Sequence, residues 1–246
     1  MGSTVCDAVD ATDGLELVAA VDPSAVGQDR CGTTVAGELR AFADAGCDVV
    51  VDFTVADAAR VSLPWLAMHG IHAVVGTTGF SADDLDEFRT AFGDGPAHCL
   101  IAPNFAISAV LMMRFAELAA PFFDTVEIIE YHHDRKIDAP SGTAVDTAER
   151  IAAARGDQPW SPDPTQHEVY PGARGGRGPN GIRVHGVRMH GMVAHQDVIF
   201  GTDGQSLTLR QDSYDRVSFM PGVVLACRRI VDHPGLTLGL DAFLEI

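Results

Sequence analysis

The chain has 246 residues, of which 46% are hydrophobic, and its formal net charge is -17 at pH 7. It is long enough for one large domain or two modest ones, each with its own core. So acidic a composition offers no basic stripe for neutralising phosphates, which argues against a nucleic-acid surface. It still allows a local basic cluster that binds an anionic substrate.

The five cysteines are scattered, and none forms a C-x-x-C pair. This spacing favours neither a zinc site nor a disulfide framework, so we expect reduced, mostly buried thiols and no bound metal. No basic segment with an apolar core opens the sequence, and no apolar run approaches the roughly 20 residues of a membrane-spanning helix. We therefore expect a cytoplasmic protein that does not associate with membranes.

Short apolar runs alternate with helix-forming stretches in the first hundred residues. The runs predict strands at residues 15–21, 48–54, 72–75 and 99–101. Helices are predicted at 35–45, at 56–69 and after Ser81, which is a suitable N-cap with acidic residues in the turn that follows. Strands that alternate with helices predict an α/β domain with a parallel sheet covered on both faces.

The pattern changes after Asn104. A long helix is predicted at 107–122, a strand at 125–131, a helix at 143–155 and a Pro- and Gly-rich loop at 156–182. Strands then fill 184–212, joined as hairpins through His190-Gly191 and Asp203-Gly204, and a last helix covers 219–231. These elements predict a second, α+β domain with a mixed, largely antiparallel sheet, and the last helix is expected to return to the first domain.

Three features lie at the carboxyl ends of predicted strands, where open α/β sheets bind ligands. They are Asp22, the turn of Gly76, Thr77, Thr78 and Gly79, and the segment of Ala102, Pro103, Asn104 and Phe105. An acid at such a strand end typically accepts hydrogen bonds from a ribose hydroxyl, and glycines allow the backbone to approach a ligand. Each feature alone is a weak signal, since a GTTG segment is an ordinary turn in most proteins, but together they indicate one ligand-binding edge.

The most informative stretch contains the only lysine of the chain, Lys136, three residues after the pair His132-His133. On a strand the two histidines point to opposite sides, so they are poorly placed to share a metal. Imidazole and ammonium groups suit anion binding and proton transfer. Ser141-Gly142-Thr143 then opens a helix whose N–H groups can bind a carboxylate or phosphate. The alternatives are a polar loop with an accidental lysine and an ordinary serine N-cap.

Four motifs resemble the 4-hydroxy-tetrahydrodipicolinate reductases, formerly called dihydrodipicolinate reductases. They are EYHHDRKIDAPSGTA at 130–144, VVGTTGF at 74–80, APNFAI at 102–107 and RVSFMPGV at 216–223, in the order of that family. The resemblance implies reduction of 4-hydroxy-tetrahydrodipicolinate to tetrahydrodipicolinate with loss of water, in diaminopimelate and lysine biosynthesis. It also implies NADH or NADPH as hydride donor and a homotetramer. The Rossmann cofactor domain would comprise 1–104 and 218–246, and the substrate-binding and oligomerisation domain 105–217.

The resemblance also implies roles for individual residues. His132 corresponds to the acid–base histidine and Lys136 to the proton-donating lysine. His133 corresponds to a substrate contact, and Gly142 with Thr143 to the pair that holds a substrate carboxylate. The implied cofactor-binding residues are Gly2, Asp22, Gly76, Thr77, Thr78, Ala102, Pro103, Asn104 and Phe105.

One departure from the family concerns the beginning of the sequence. The family begins with a strand and a Gly-x-x-Gly-x-Met-Gly loop that holds the pyrophosphate, whereas Met1-Gly2 resembles only the last two residues of that loop. A strand missing there would be central, so its absence would remove ladder partners from both neighbours. We expect either a longer native chain that is active, or a truncated chain that binds the cofactor poorly or does not catalyse.

Two further functions compete with the one that the resemblance implies. The chain could be a different Rossmann reductase acting on another small acid, or a non-catalytic binding protein of the same fold. The combination of His132, Lys136 and the Ser141-Gly142-Thr143 turn argues against another substrate. The choice between NADH and NADPH stays open, since Asp22 favours a ribose 2′-hydroxyl while the family often accepts both cofactors.

Overall fold

A computed structural model describes residues 1–93 and 95–245, and it divides the chain into two units. Unit 1 comprises Met1–Ala106 and the chain from Arg216 onward, and unit 2 comprises Ile107–Asp215. The helices of the described residues are α1 (Gly2–Asp10), α2 (Arg40–Asp44), α3 (Ala56–Met68), α4 (Ala82–Gly93), α5 (Ile107–Ala119), α6 (Gly142–Arg155), α7 (Met220–Arg229) and α8 (Asp241–Leu244). The strands are β1 (Asp29–Arg30), β2 (Thr33–Thr34), β3 (Val49–Asp52), β4 (His72–Val75), β5 (Cys99–Ile101), β6 (Thr125–His132), β7 (Gly176–Arg177), β8 (Arg183–Arg188), β9 (Ala194–Thr202), β10 (Gln205–Ser213) and β11 (Leu236–Leu238). Within these ranges, no helix has the length and apolar character needed to cross a bilayer.

Unit 1 is built on a parallel four-stranded sheet in the order β3-β4-β5-β11. The apolar runs of β4 and β5 are almost entirely buried, as parallel strands covered on both faces should be. Helices α3 and α4 contribute Leu63, Leu66, Phe88 and Phe92, all fully buried, to the core beside this sheet. The predicted α/β class is therefore confirmed.

The strand predicted at residues 15–21 is wrong. Residues 15–20 form no strand, and Val21 makes only an isolated parallel bridge with Ala36. Among the described residues β3 pairs with β4 alone, and a cavity of about 980 Å³ is lined both by residues 49–51 and by residues 15–22. An apolar run with no neighbouring strand to supply ladder hydrogen bonds cannot join the sheet. The helix predicted at 35–45 is also shorter, since α2 covers Arg40–Asp44.

Unit 2 contains a five-stranded mixed sheet in the order β10-β9-β6-β8-β7. The predicted hairpin through Asp203-Gly204 is confirmed, because β9 and β10 pair antiparallel from Thr202 and Gln205 onward. The predicted hairpin through His190-Gly191 is wrong, because β6 lies between β8 and β9. β6 runs parallel to β8, and this register places His132 opposite Arg188.

The segment between β6 and α6 carries the motif with the only lysine. β6 ends at His132, and α6 begins at Gly142 with Ser141 as its N-cap, whose side chain accepts a hydrogen bond from the N–H of Ala144. β6 itself alternates buried and more exposed residues, which places Val126, Ile128 and Glu130 on the buried face. The sheet and the helix therefore fix both ends of a short loop.

Helix α7 belongs to unit 1, where it packs against α1, β3 and β4. It begins at Met220, within one residue of its predicted start. Gly222 lies so close to the backbone at Phe105 that an added Cβ would be 2.1 Å from the carbonyl oxygen of Phe105. A backbone atom cannot move aside as a flexible side chain can, so this helix requires glycine at position 222.

Gly222→Ala should destabilise unit 1 because α7 must move away from the backbone at Phe105. We expect a loss of about 1–3 kcal/mol in the free energy of unfolding, the usual cost of overpacking, measured by urea denaturation. Gly93→Ala is the matched control, since Gly93 is also helical but has open space around its Cβ position. The control should be neutral or slightly stabilising, and an equal loss in both variants would contradict this reason.

Candidate active site

Strand β6 delivers the histidine pair of the motif to a tight turn. His132 is the last residue of β6, and His133 follows, accepting a hydrogen bond through its carbonyl from the N–H of Lys136 at 3.2 Å. The Lys136 ammonium donates to both carboxylate oxygens of Asp138, each at 2.8 Å. Among the described residues, no three His, Cys, Asp or Glu side chains are grouped as a metal site requires.

A fully buried carboxylate, Glu130, connects the parts of this motif. Its Oε1 and Oε2 accept two parallel hydrogen bonds from the Arg188 guanidinium, at 2.8 Å and 2.9 Å. Oε2 is also hydrogen-bonded to Nδ1 of His132, and Oε1 accepts from the N–H of Ser141 at 3.3 Å. Arg188 further donates to the carbonyl oxygen of Asp138 at 2.6 Å. One carboxylate thus contacts the histidine, the arginine and the start of α6.

Burial and the surrounding charges set the protonation states in this cluster. Burial alone would raise the pKa of Glu130, but hydrogen bonds from Arg188 and His132 outweigh it and leave that pKa below its usual value. Burial lowers the pKa of His132, and the positive charges of Lys136 and Arg188 act in the same direction against the opposing effect of Glu130. The hydrogen bonds from Lys136 hold the pKa of Asp138 below its ordinary value. Near neutral pH, therefore, Glu130 and Asp138 are ionised and the His132 imidazole is mostly neutral.

Helix α6 supplies a site that attracts anions. Gly142 and Thr143 are the first two residues of this 14-residue helix, whose N-terminus carries the positive end of the helix dipole. An added Cβ at Gly142 would meet no atom within 4 Å, so the backbone there is accessible to a ligand. Unit 2 thus brings His132, Lys136 and the N-terminus of α6 into one hydrogen-bonded region.

In unit 1 the two predicted loops follow neighbouring strands. The loop of Gly76, Thr77 and Thr78 follows β4, and the segment of Ala102, Pro103, Asn104 and Phe105 follows β5. The buried carboxylate of Asp52 fixes the first loop, because its Oδ1 accepts from the Thr77 hydroxyl at 3.0 Å. The same group accepts from the N–H and hydroxyl of Thr54, at 2.8 Å and 2.7 Å, and from the Ser62 hydroxyl at 3.0 Å.

The remaining two predicted cofactor residues lie elsewhere in unit 1. Gly2 is the first residue of α1, and Gly2 and Asp22 both line the cavity of about 980 Å³. None of the residues of the two strand-end loops is in that lining. Asp22 is exposed, and hydrogen bonds from the hydroxyl and N–H of Ser24 to its Oδ1 lower its pKa. The structure therefore places these cofactor candidates in two groups.

The polar groups of unit 1 fit a nicotinamide nucleotide. Thr78 is exposed and lies between Gly76 and Gly79, so polar groups and bare backbone adjoin the carboxyl edge of β4. Asp22 offers an ionised carboxylate suited to ribose hydroxyls. The N-terminus of α1 is suited to a phosphate group.

Two family models match the chain. The model described as "Dihydrodipicolinate reductase, N-terminus" matches residues 1–105, and "Dihydrodipicolinate reductase, C-terminus" matches residues 108–244. The chain belongs to the dihydrodipicolinate reductase family. The relatives named 4-hydroxy-tetrahydrodipicolinate reductase include those of Nocardia farcinica, 53% identical, and Corynebacterium urealyticum, 51% identical. Each match covers 100% of this chain and 95% of the relative.

A solved structure of the same family agrees with this membership. Dipicolinate-bound dihydrodipicolinate reductase from Paenisporosarcina sp. TG-14 is 37% identical with a TM-score of 0.88, over 98% of this chain and 94% of that one. The amine dehydrogenase from Mycobacterium smegmatis, 15% identical with a TM-score of 0.65 over 96% and 91% of the two chains, shares the fold alone. The protein is thus an oxidoreductase of the reductase family of lysine and diaminopimelate biosynthesis, and it uses a nicotinamide cofactor.

Sequence reasoning missed Glu130, Arg188 and Asp52 as members of these clusters. Glu130 could have been found, because it lies two residues before His132 and therefore on the same face of a strand. Arg188 could not, because its position depends on the parallel pairing of β8 with β6. Asp52 was recognisable in the sequence only as an acid at the end of a buried strand, which does not predict its hydrogen bond to Thr77.

Asp52→Ala should destabilise unit 1 because it leaves two buried hydroxyls, those of Ser62 and Thr77, without their acceptor. We expect a loss of about 2–4 kcal/mol in the free energy of unfolding, since each unsatisfied buried polar group costs about 1–3 kcal/mol. Urea denaturation measures it. Asp22→Ala is the matched control, because that carboxylate is also bonded to a nearby hydroxyl and N–H but is exposed. The control should leave the unfolding midpoint nearly unchanged; equal effects would contradict the role of burial.

Proposed function

We propose that unit 2 binds and protonates 4-hydroxy-tetrahydrodipicolinate, while unit 1 holds NADH or NADPH. The observation that carries this proposal is the cluster of Glu130, His132, Lys136 and the N-terminus of α6. It combines an imidazole, an ammonium group and helix N–H donors, which are the groups that a dicarboxylate ring needs for binding and for proton transfer. The Paenisporosarcina enzyme, by its title, binds dipicolinate, which is also a small dicarboxylate.

Substrate binding is assigned to three residues. Gly142 and Thr143 hold one carboxylate at the positive end of the α6 dipole. His133, which follows β6, contacts the substrate through its imidazole. This binding would fix the ring beside the two groups that carry protons, so orientation contributes to the rate.

Proton transfer is assigned to His132 and Lys136. The neutral imidazole of His132 acts as the acid–base group, and the Lys136 ammonium donates a proton as water leaves the ring. A nicotinamide cofactor held by unit 1 would supply the hydride that reduces the ring. Asp138, which receives both hydrogen bonds of Lys136, holds this ammonium in place until the substrate binds.

Cofactor binding is assigned to residues 1–104 and 218–246, and substrate binding and oligomerisation to residues 105–217. The cofactor contacts are Gly2, Asp22, Gly76, Thr77, Thr78, Ala102, Pro103, Asn104 and Phe105. Asp22 would accept a hydrogen bond from a ribose 2′-hydroxyl and repel a 2′-phosphate, which favours NADH. The homotetramer and the cytoplasmic location are proposals that the family resemblance supports.

The purified protein should oxidise a reduced nicotinamide cofactor only when 4-hydroxy-tetrahydrodipicolinate is present. Loss of absorbance at 340 nm, with NADH and NADPH in parallel, measures the activity, and we expect a higher kcat/KM with NADH because of Asp22. Reactions without substrate are the control. Cofactor binding by fluorescence without turnover would instead support the non-catalytic alternative, and turnover with another small acid would support a different reductase.

Lys136→Ala should lower kcat by roughly 100-fold, the scale that general acid catalysis contributes, with the Kd of the cofactor nearly unchanged. Lys136→Arg should not restore kcat, because a guanidinium keeps its proton. Steady-state kinetics and fluorescence titration measure the two quantities. Arg135→Ala is the matched control, since Arg135 is the neighbouring cation but is exposed. Lost cofactor binding in Lys136→Ala would mean that Lys136 belongs to the other site.

A further inference from the structure

Glu130 is a buried charge, and neither substrate binding nor proton transfer has been assigned to it. Its side chain is fully inaccessible, and it lies at the centre of contacts to His132, Arg188 and Ser141. Stability alone is a weak reason for such a group, because apolar replacements of buried ion pairs are often neutral or stabilising. Its contact with the acid–base histidine gives a better reason.

We propose that Glu130 is a positioning residue that holds the proton of neutral His132 on Nδ1, so that Nε2 exchanges protons with the substrate. This inference rests on the role proposed for His132 in the reductase reaction. Glu130 itself does not touch the substrate in this proposal. It acts through the imidazole that it orients.

The hydrogen-bonding chemistry of the cluster allows one tautomer. An ionised carboxylate only accepts hydrogen bonds, and the pKa of Glu130 lies below its ordinary value. The Arg188 guanidinium donates to both oxygens and does not lose its proton. The nitrogen of His132 that contacts Glu130 must therefore carry the hydrogen, and that nitrogen is Nδ1. Nε2 of the neutral ring is then an acceptor.

The same carboxylate positions the other parts of the site. Its Oε1 accepts from the N–H of Ser141, which is the N-cap of α6. Its partner Arg188 donates to the carbonyl oxygen of Asp138, and the Asp138 carboxylate binds the ammonium of Lys136. The histidine, the lysine loop and the anion-binding helix end are all placed relative to one buried group.

The charges around His132 predict how its titration depends on Glu130. Glu130 is on the same strand, Lys136 is in the following loop, and Arg188 faces from β8. On the other side β9 contributes Ala194 and Gln196, neither of which titrates. Of the three charged groups that act on His132, Glu130 is negative, so it raises the pKa of the imidazole. The two cations, Lys136 and Arg188, lower that pKa.

Glu130→Gln tests the proposal because it keeps the shape and removes the charge. With its oxygen in the place of Oε1, the amide still accepts from Ser141 and from one nitrogen of Arg188. Its NH₂ group then takes the place of Oε2 and faces His132 and the other nitrogen of Arg188. Among these partners His132 is the one that can become an acceptor, so its neutral ring should move its proton to Nε2. We expect ¹⁵N NMR of the labelled imidazole to show the exchanged tautomer and a lower pKa. The kcat should fall roughly 100-fold, the scale of a lost acid–base group, while the KM of the substrate changes little.

Glu127→Gln is the matched control on the same strand. Glu127 also contacts an arginine and a histidine, since it is bonded to Arg174 and to Nε2 of His185 at 2.8 Å. Three positions separate it from Glu130, so the two side chains are on opposite faces of β6. Glu127→Gln should leave the tautomer of His132 and kcat near their wild-type values. An equal loss in this control would overturn the proposal, because the effect would then be general to the strand.

A second variant covers the case in which Glu130→Gln does not fold because Arg188 is left buried and unpaired. Glu130→Gln with Arg188→Gln removes both charges, so no charge of the pair remains alone. The exchanged tautomer should persist in it. An unchanged Nδ1–H tautomer in a folded variant would overturn the inference. A wild-type chain with the Nδ1–H tautomer but no reductase activity would refute the proposed function. It would not contradict the hydrogen bond by which Glu130 sets the tautomer of His132.

Discussion

A carboxylate with no access to water must be neutralised by the groups around it, and in unit 2 this requirement organises the candidate site. Leaving such a charge unpaired costs several kcal/mol, so Glu130 imposes a geometry on every group that contacts it. Those groups come from β6, from β8 and from the N-cap of α6. The positions of three separate elements are therefore coupled through one side chain.

Unit 1 also contains a buried carboxylate near the end of a strand, but its chemistry is different. Asp52 ends β3, and its partners are the neutral hydroxyl and N–H groups of Thr54, Ser62 and Thr77. None of these partners exchanges protons near neutral pH, so the cluster can only fix the loop that follows β4. Glu130, by contrast, contacts an imidazole, which can change its protonation state. Whether a buried carboxylate only fixes a loop or can take part in proton transfer depends on its hydrogen-bonding partners rather than on the carboxylate itself.

The local parts of the fold and of the site could be predicted from the sequence, but the pairings could not. The bounds of β4, β5 and α3 follow from apolar runs and turn residues, and Ser141 is recognisable as an N-cap. Residues 15–21 have the composition of a strand, yet strand formation requires a neighbour that supplies hydrogen bonds, and local sequence does not report it. Likewise His190-Gly191 has the signature of a hairpin turn, whereas β6 is inserted between the two strands that it connects. Arg188 was missed for this reason.

In the proposed mechanism, the two cations of the cluster have different tasks, because one moves a proton and the other does not. Arg188 keeps its charge at every relevant pH, so it can neutralise Glu130 without offering a competing path for the proton. Lys136 is the only lysine in the chain, and its partly exposed side chain ends in an ammonium group, which can release its proton. An arginine at position 136 would bind an anion equally well but would not donate, and a lysine at position 188 could lose its proton and leave the buried carboxylate unpaired. In the proposed mechanism, the exchange of protons is thereby confined to His132 and Lys136.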